Sequence, residues 1–256
     1  MTIRNNGVAI DWLGYACARV EGPEGTVIYT DPGRYGTLDG TWADQYGGVP
    51  HPSGPAYDRQ DGDVVVVTHD HHYDSDGVRR VAAEDATVLV YEEVDAERIA
   101  EKEGRDVEAP ESLPHDVSRV STDQSVSVAG TEVTVWPAYN DPDGPRVSDD
   151  GEPIHPPGFG CGFEIEVDGY SLFWTGDSDV IDPYEDLEVS LLLPSISGSF
   201  TMDREEAAEW AASARPDLVV PIHYNTFEGL RADSAAFATD VAQRGIPVAL
   251  DEDGLG

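Results

Sequence analysis

Three histidines and three aspartates fall between positions 69 and 76 in the stretch VVVVTHDHHYDSDG, residues 64–77: His69, His71 and His72 with Asp70, Asp74 and Asp76. Imidazole nitrogens and carboxylate oxygens are the donors of catalytic zinc sites, which leave one coordination position open for water. The chain has seven histidines in all, so three in four positions concentrates its donor chemistry at one point. His69 and His71 lie two apart at the end of an apolar run, and a tight loop there can turn both rings toward one ion. His72 and Asp74 are further candidate ligands. Two more donors follow apolar runs in the same way: Asp177 after SLFWTG and His223 after LVVPI. Each alone is weak, since Gly-Asp is also an ordinary turn. Three runs ending in His, Asp and His argue together for one site.

Strands must carry these donors. The runs GVAIDWL, TVIYT, DVVVVT, TVLVY, EVTVWPA, GFEIEV, SLFWT, VSLLLP, DLVVPI and PVAL read as strands, several alternating apolar with polar residues. VVVV and LLL are continuous and suit strands covered on both faces. Helical patterns span residues 75–84, 94–104, 202–216 and 232–245, and Asp203 and Glu206 have the spacing of a capping box. There is no internal repeat and no low-complexity linker. The order predicts one domain over residues 1–256, with two packed sheets and outer helices. Residues 31–62 and 140–160 are long, polar and rich in Pro and Gly, as functional loops often are.

The composition narrows the function further. Fifty-one acidic residues against fifteen basic ones give a net charge of -36, and Lys102 is the only lysine. Tyr, Trp and Val throughout point to a folded domain with a solvated acidic surface rather than to disorder. Such a surface suits molar salt, where screening shortens to about 3 Å, and the sequence reads as that of a halophile. An acidic field repels phosphate backbones, so nucleic acid is excluded as a partner. No apolar run approaches the ~18 residues of a membrane span, and MTIRNNGVAIDWLG lacks the pattern of a signal peptide, which predicts a cytoplasmic protein. Cys17 and Cys161 offer neither a CxxC spacing nor a disulfide framework and read as two buried thiols.

Taken in order, the blocks DWLGYACARV…VIYTDPG, VVVVTHDH, VWPAYN, IHPPGFGCGFEIEVDGYSLFWTGDSD, LLLPSISGSFTMDREEAAEWA and VVPIHYNTF resemble the metallo-β-lactamase superfamily. Within it they resemble the branch that holds the L-ascorbate-6-phosphate lactonases and other metal-dependent hydrolases. The resemblance implies an α/β, four-layer αββα sandwich with one or two divalent ions at the strand ends, zinc first and manganese as the alternative. Carried over residue by residue, it puts His69 and His71 on the first ion, Asp177 between the two ions and His223 on the second. Asn140 falls near the block that supplies a third histidine, and its amide oxygen suits a harder ion such as Mn²⁺. His155 matches a loop histidine with a substrate or proton-transfer role, or a ligand role if the loop folds inward. Asp31 supports the metal loop from behind.

The family loop reads His-x-His-x-Asp-His, and this chain departs from it. Without a gap, Asp74 takes the final His position and Tyr73 displaces the Asp. With a one-residue insertion, His72 and Asp74 match the second His and the Asp, and Ser75 replaces the final His. Both alignments remove a ligand from the second ion and keep Asp74. Tyr15 stands where the family's opening has a histidine. The activity implied is hydrolysis of an ester, lactone or phosphodiester-type small molecule by metal-activated water. Asp74 or Asp177 would orient the nucleophile, and His155 or Tyr224 would protonate the leaving group. The alternative is a catalytically silent metal-binding or scaffold protein of the same fold. For an anionic substrate, Arg34, Arg59 and Arg146 are the candidate cations, and the start of the helix after SISGSFTMD is a further anion site. A homo-oligomer is compatible with the sequence.

Overall fold

In the computed structural model, residues 2–34, 36–42 and 56–252 are described; of the long segment 31–62, residue 35 and residues 43–55 lie outside them. The valine and isoleucine runs pair into two sheets. The first contains β1 (Ile3–Asn5), β2 (Val8–Gly14), β3 (Cys17–Glu21), β4 (Val27–Thr30), β5 (Gly62–Val67), β6 (Ala82–Tyr91) and β7 (Asp116–Val120), in chain order. β1 to β4 are antiparallel, and β4 to β7 are parallel. The second contains β8 (Ser125–Val128), β9 (Thr131–Ala138), β10 (Gly160–Val167), β11 (Tyr170–Trp174), β12 (Leu191–Leu193) and β13 (Leu218–Val219), again in order. It too begins antiparallel, and it ends parallel from β11 to β13.

Four helices lie wholly within the described residues: α1 (Ser75–Val81), α2 (Ala96–Glu103), α3 (Arg204–Ala214) and α4 (Ser234–Gln243). One apolar cluster joins side chains of both sheets to Ala207, Ala211, Phe237 and Val241 of the last two helices. This is the αββα sandwich expected from the sequence. Val64–Val67 and Leu191–Leu193 are fully buried, because β5 and β12 are interior strands covered on both faces. The capping box is formed: the Asp203 carboxylate accepts from the N–H groups of Glu205 and Glu206, and Glu206 accepts from the Asp203 N–H.

Three expectations shift. The helix read over 75–84 stops at Val81, and Ala82 opens β6 by pairing with Gly62; a sheet partner overrides the helix propensity of Ala82 and Ala83. PVAL contributes only a bridge between Val219 and Val248. β1, β3, β7 and β8 are short strands that the apolar pattern did not mark. Among the described residues no helix is long and apolar enough to cross a membrane.

The topology matters most at one edge. β4, β5, β11 and β13 belong to the parallel parts of the two sheets, and the chain leaving their C-terminal ends supplies Asp31, His69, Asp177 and His223. Open parallel sheets bind ligands at that edge. Three residues there take left-handed backbone despite carrying side chains: Tyr15 (φ 48°), Asp31 (φ 34°) and His223 (φ 59°). Each costs on the order of 1 kcal/mol, strain of a kind that clusters at functional sites.

Candidate metal centre

Two groups of donors converge at this edge and share one carboxylate. His69, His71, His155 and Asp177 form the first, and His72, Asp177 and His223 the second; within each, the ligand atoms lie within 4.8 Å of one another. Asp177 Oδ2 is 3.5 Å from His69 Nε2 and 3.4 Å from His155 Nε2, while Oδ1 is 3.6 Å from His72 Nε2 and 3.3 Å from His223 Nε2. The shared aspartate therefore turns one oxygen to each group. Gly176 makes this possible. Its φ is +59°, and a Cβ there would lie 2.4 Å from the carbonyl oxygen of Cys161.

The rings are oriented from behind. His69 Nδ1 donates to Thr68 Oγ1 at 2.8 Å, and that hydroxyl donates to Asp31 Oδ2 at 2.8 Å. His72 Nδ1 donates to Asp31 Oδ2 at 2.8 Å, and His155 Nδ1 to the Phe200 carbonyl at 3.1 Å. These acceptors assign the proton to Nδ1 in each ring, so Nε2 presents a lone pair to the centre. Asp31 is wholly buried; it also accepts from the Thr68 N–H and from Trp174 Nε1. Burial pushes its carboxyl up to about 6.

Burial likewise holds His71 and His72 well below the usual imidazole range, lowers His223 and brings His155 down to about 4. Neutral rings are the form that binds metal. His69 is raised instead, since Asp177 outweighs the effect of its burial. Burial would raise Asp177, but His223, His72 and His69 together keep it well below the carboxylate range. His69 Nε2 and Asp177 Oδ1 are buried with no hydrogen-bond partner. An unsatisfied buried group costs roughly 1–3 kcal/mol, and a divalent cation between neutral imidazoles and a carboxylate would remove that cost. The donor set fits such an ion.

A family model described as the beta-lactamase superfamily domain matches residues 9–223. The chain belongs to that superfamily. Among curated proteins, a UPF0173 metal-dependent hydrolase of Methanopyrus kandleri is 27% identical over 246 residues, covering 93% of this chain and 94% of its own. A protein of the same description from Pyrococcus furiosus is 27% identical, with 93% of each chain covered. Among solved structures, Igni18, a metallo hydrolase from Ignicoccus hospitalis, shares the fold at a TM-score of 0.63 and 23% identity, with 96% of each chain covered.

Within this beta-lactamase superfamily domain, two expected donors stand outside both groups. Asp74 caps α1: its Oδ1 accepts from the N–H groups of Asp76 and Gly77, so the carboxylate is spent on the helix start. Asn140 is also turned away. Its Nδ2 donates to Asp179 Oδ1 and the Phe200 carbonyl, and its Oδ1 accepts from the His155 N–H at 2.8 Å. It braces the segment that carries His155, and His155 occupies the third histidine place that Asn140 was expected to mark.

The second group has three donors against four in the first, and its loop histidine is His72. A 3-10 turn over Asp70–His72 swings His72 inward onto Asp31, and its Nε2 lies 2.8 Å from His223 Nε2. Tyr224 does not face the centre; it stacks on Trp12 and its hydroxyl donates to Glu252. Tyr15 does, with its ring 4.5 Å from that of His223. Arg146 is committed to Asp179 and Glu206, and Arg59 lies over the Tyr57 ring. Arg34 is the candidate cation at the site, paired with Glu103 at 3.5 Å. Sequence reasoning missed Thr68, Phe200 and Glu103 as supports; only Thr68, next to His69, carried a local signal. Both cysteines are buried and free.

Proposed function

We propose that this metal-dependent hydrolase holds two divalent ions, one on His69, His71, His155 and Asp177 and the other on His72, Asp177 and His223, and directs water at an ester, lactone or phosphodiester-type bond of a small molecule. The observation that carries the reading is the convergence of five imidazoles on one buried carboxylate that has an unpartnered oxygen. Three imidazoles and a carboxylate suit zinc in the first group, with manganese the alternative for a set richer in oxygen. Bound ions would supply Lewis acidity and bring the pKa of a water toward ~7.

The chain's own groups do the rest. Asp177, held ionised, bridges the two groups and orients the attacking water. Asp31, Thr68 and Phe200 hold the rings so that their lone pairs need no reorganisation. His155 serves as a ligand in this scheme rather than as the acid that protonates the leaving group. Arg34 beside the centre favours an anionic substrate, consistent with a lactonase-like activity. The acidic surface supports a halophilic, cytoplasmic protein, and a homo-oligomer remains compatible with it. Melting temperature should then climb as potassium chloride rises from dilute buffer to molar concentration; a flat response would remove the salt argument.

Metal analysis of the purified protein, followed by a screen of lactone, thioester and phosphodiester substrates, tests the scheme. Two equivalents of metal and turnover abolished by chelation and by Asp177→Ala are expected. Full turnover and full metal content in Asp177→Ala would overturn it. Bound metal without turnover on any of the three classes would favour a silent metal-binding protein.

A further inference from the structure

Three of the site's rings point Nε2 inward and rest Nδ1 on an oxygen from Thr68, Asp31 or Phe200. His71 is turned the other way. Its Nδ1 faces His155 Nε2 at 3.4 Å, and its Nε2 leads out of the group toward Glu103 Oε1 at 3.8 Å. Glu103 is the last residue of α2, where the helix dipole disfavours a carboxylate by about 0.3–1 kcal/mol. The side chain is nonetheless only 12% exposed.

Two arginines hold it there. Arg105 Nη2 lies 2.9 Å from Glu103 Oε2, and Arg34 Nη2 lies 3.5 Å from the same oxygen. Arg105 in turn donates to the carbonyls of Asp70 and Tyr73 at 2.8 and 2.7 Å. The carboxylate is thereby tied to the turn that carries His71. A residue that breaks a local rule, with compensation built around it at the rim of a site, is where function is expected to outweigh stability.

We propose that Glu103 is a positioning residue for the first ion: it faces the outer nitrogen of His71, so that Nδ1 presents its lone pair to the centre, as Asp31 does for His72 through the opposite ring nitrogen. The 3.8 Å separation is longer than a hydrogen bond, and a modest rotation of the partly exposed His71 ring or one bridging water closes it. The two ions then have separate supports, Asp31 for one and Glu103 for the other. The inference rests on the two-ion reading above.

The test uses the full chain stripped of metal and titrated with Zn²⁺ alone against a chromophoric chelator, which resolves two dissociation constants. His155→Ala assigns the constant of the first ion. Glu103→Ala should weaken that constant about 10- to 100-fold and leave the other within about twofold, with Glu103→Gln in between. Glu103→Ala also breaks the buried ion pairs to Arg34 and Arg105 and should lower the metal-free melting temperature, whereas Glu103→Gln should lower it less; in both variants the visible bands of the Co²⁺-loaded protein should change for the first ion alone. Unchanged constants would overturn the proposal. So would equal weakening of both ions, which marks a purely structural role. If the parent chain binds no Zn²⁺, the two-ion reading fails and this inference fails with it; if the parent binds two and the Glu103 variants match it, only this inference fails.

Discussion

Asp31→Asn is nearly isosteric and removes one charge from the most heavily bonded group behind the site. Asp31 Oδ2 accepts from Thr68 Oγ1, His72 Nδ1 and Trp174 Nε1, and Oδ1 accepts from the Thr68 N–H. An amide cannot satisfy all four. With its oxygen in the Oδ2 place it keeps three bonds and sets its NH₂ against the Thr68 N–H; the other flip sets NH₂ against three donors. The first arrangement is preferred, and it leaves two buried donors unpaired at roughly 1–3 kcal/mol each. The bond to His72 also loses its charge assistance, worth about half its strength. Relief of the buried charge offsets part of this, since burial already pushes Asp31 up to about 6. The net expectation is a loss of about 2–4 kcal/mol of metal-free stability. With it goes a 10- to 100-fold weaker affinity for the ion on His72 and His223, a typical outer-shell effect. Urea unfolding of the metal-free protein reads the first quantity and Zn²⁺ competition the second. Unchanged stability together with unchanged affinity for both ions would refute the claim that Asp31 orients His72.

Gly176→Ala should cost more than 2 kcal/mol, because it combines a φ of +59° with a Cβ 2.4 Å from a backbone carbonyl; thermal melting checks this, and turnover should fall as Asp177 is displaced. Tyr224→Phe should keep turnover within about twofold, a change of less than 1 kcal/mol in barrier, since that hydroxyl serves Glu252; a large loss in a steady-state assay would restore it as a proton donor. Acid should unfold the metal-free protein through its buried rings. His155 sits at about 4 when folded against ~6.5 when unfolded. Between those values the unfolded chain binds more protons, so stability falls as pH drops from about 6.5 to 4, by up to about 3 kcal/mol from this ring alone. Urea midpoints across that window measure it, and a midpoint independent of pH would contradict buried neutral rings.

The fold was legible where burial dictates residue type. Val64–Val67 and Leu191–Leu193 can only be interior strands, and the donors that follow such strands mark the site edge. Asp177 and His223 were readable for this reason. The short edge strands β1, β7 and β8 were not, because their polar residues carry little apolar pattern, and β3 was not, because its five residues, though interior, include Arg19 and Glu21. The boundary at Ala82 was hidden because a tertiary pairing, not local propensity, decides it. Inside the loop, spacing alone could not tell a ligand from a cap. Asp74 has both the chemistry of a ligand and the position of an N-cap, and Asp31, hydrogen-bonded to His72, draws that histidine inward instead. His155 and Asn140 sit fifteen positions apart in one irregular loop, and only their mutual hydrogen bonds show which faces the centre. Glu103 gave no signal at all in the sequence, since its partners Arg34 and His71 come from distant segments.

The central claim is that this edge holds two ions that share Asp177. Anomalous diffraction at the zinc and manganese edges, from crystals grown without chelator, tests it most directly. Two peaks are predicted, one against His69, His71 and His155 and one against His72 and His223, both touching Asp177. No peak at this edge, or a single peak ligated by Asp74 or Asn140, would contradict the account.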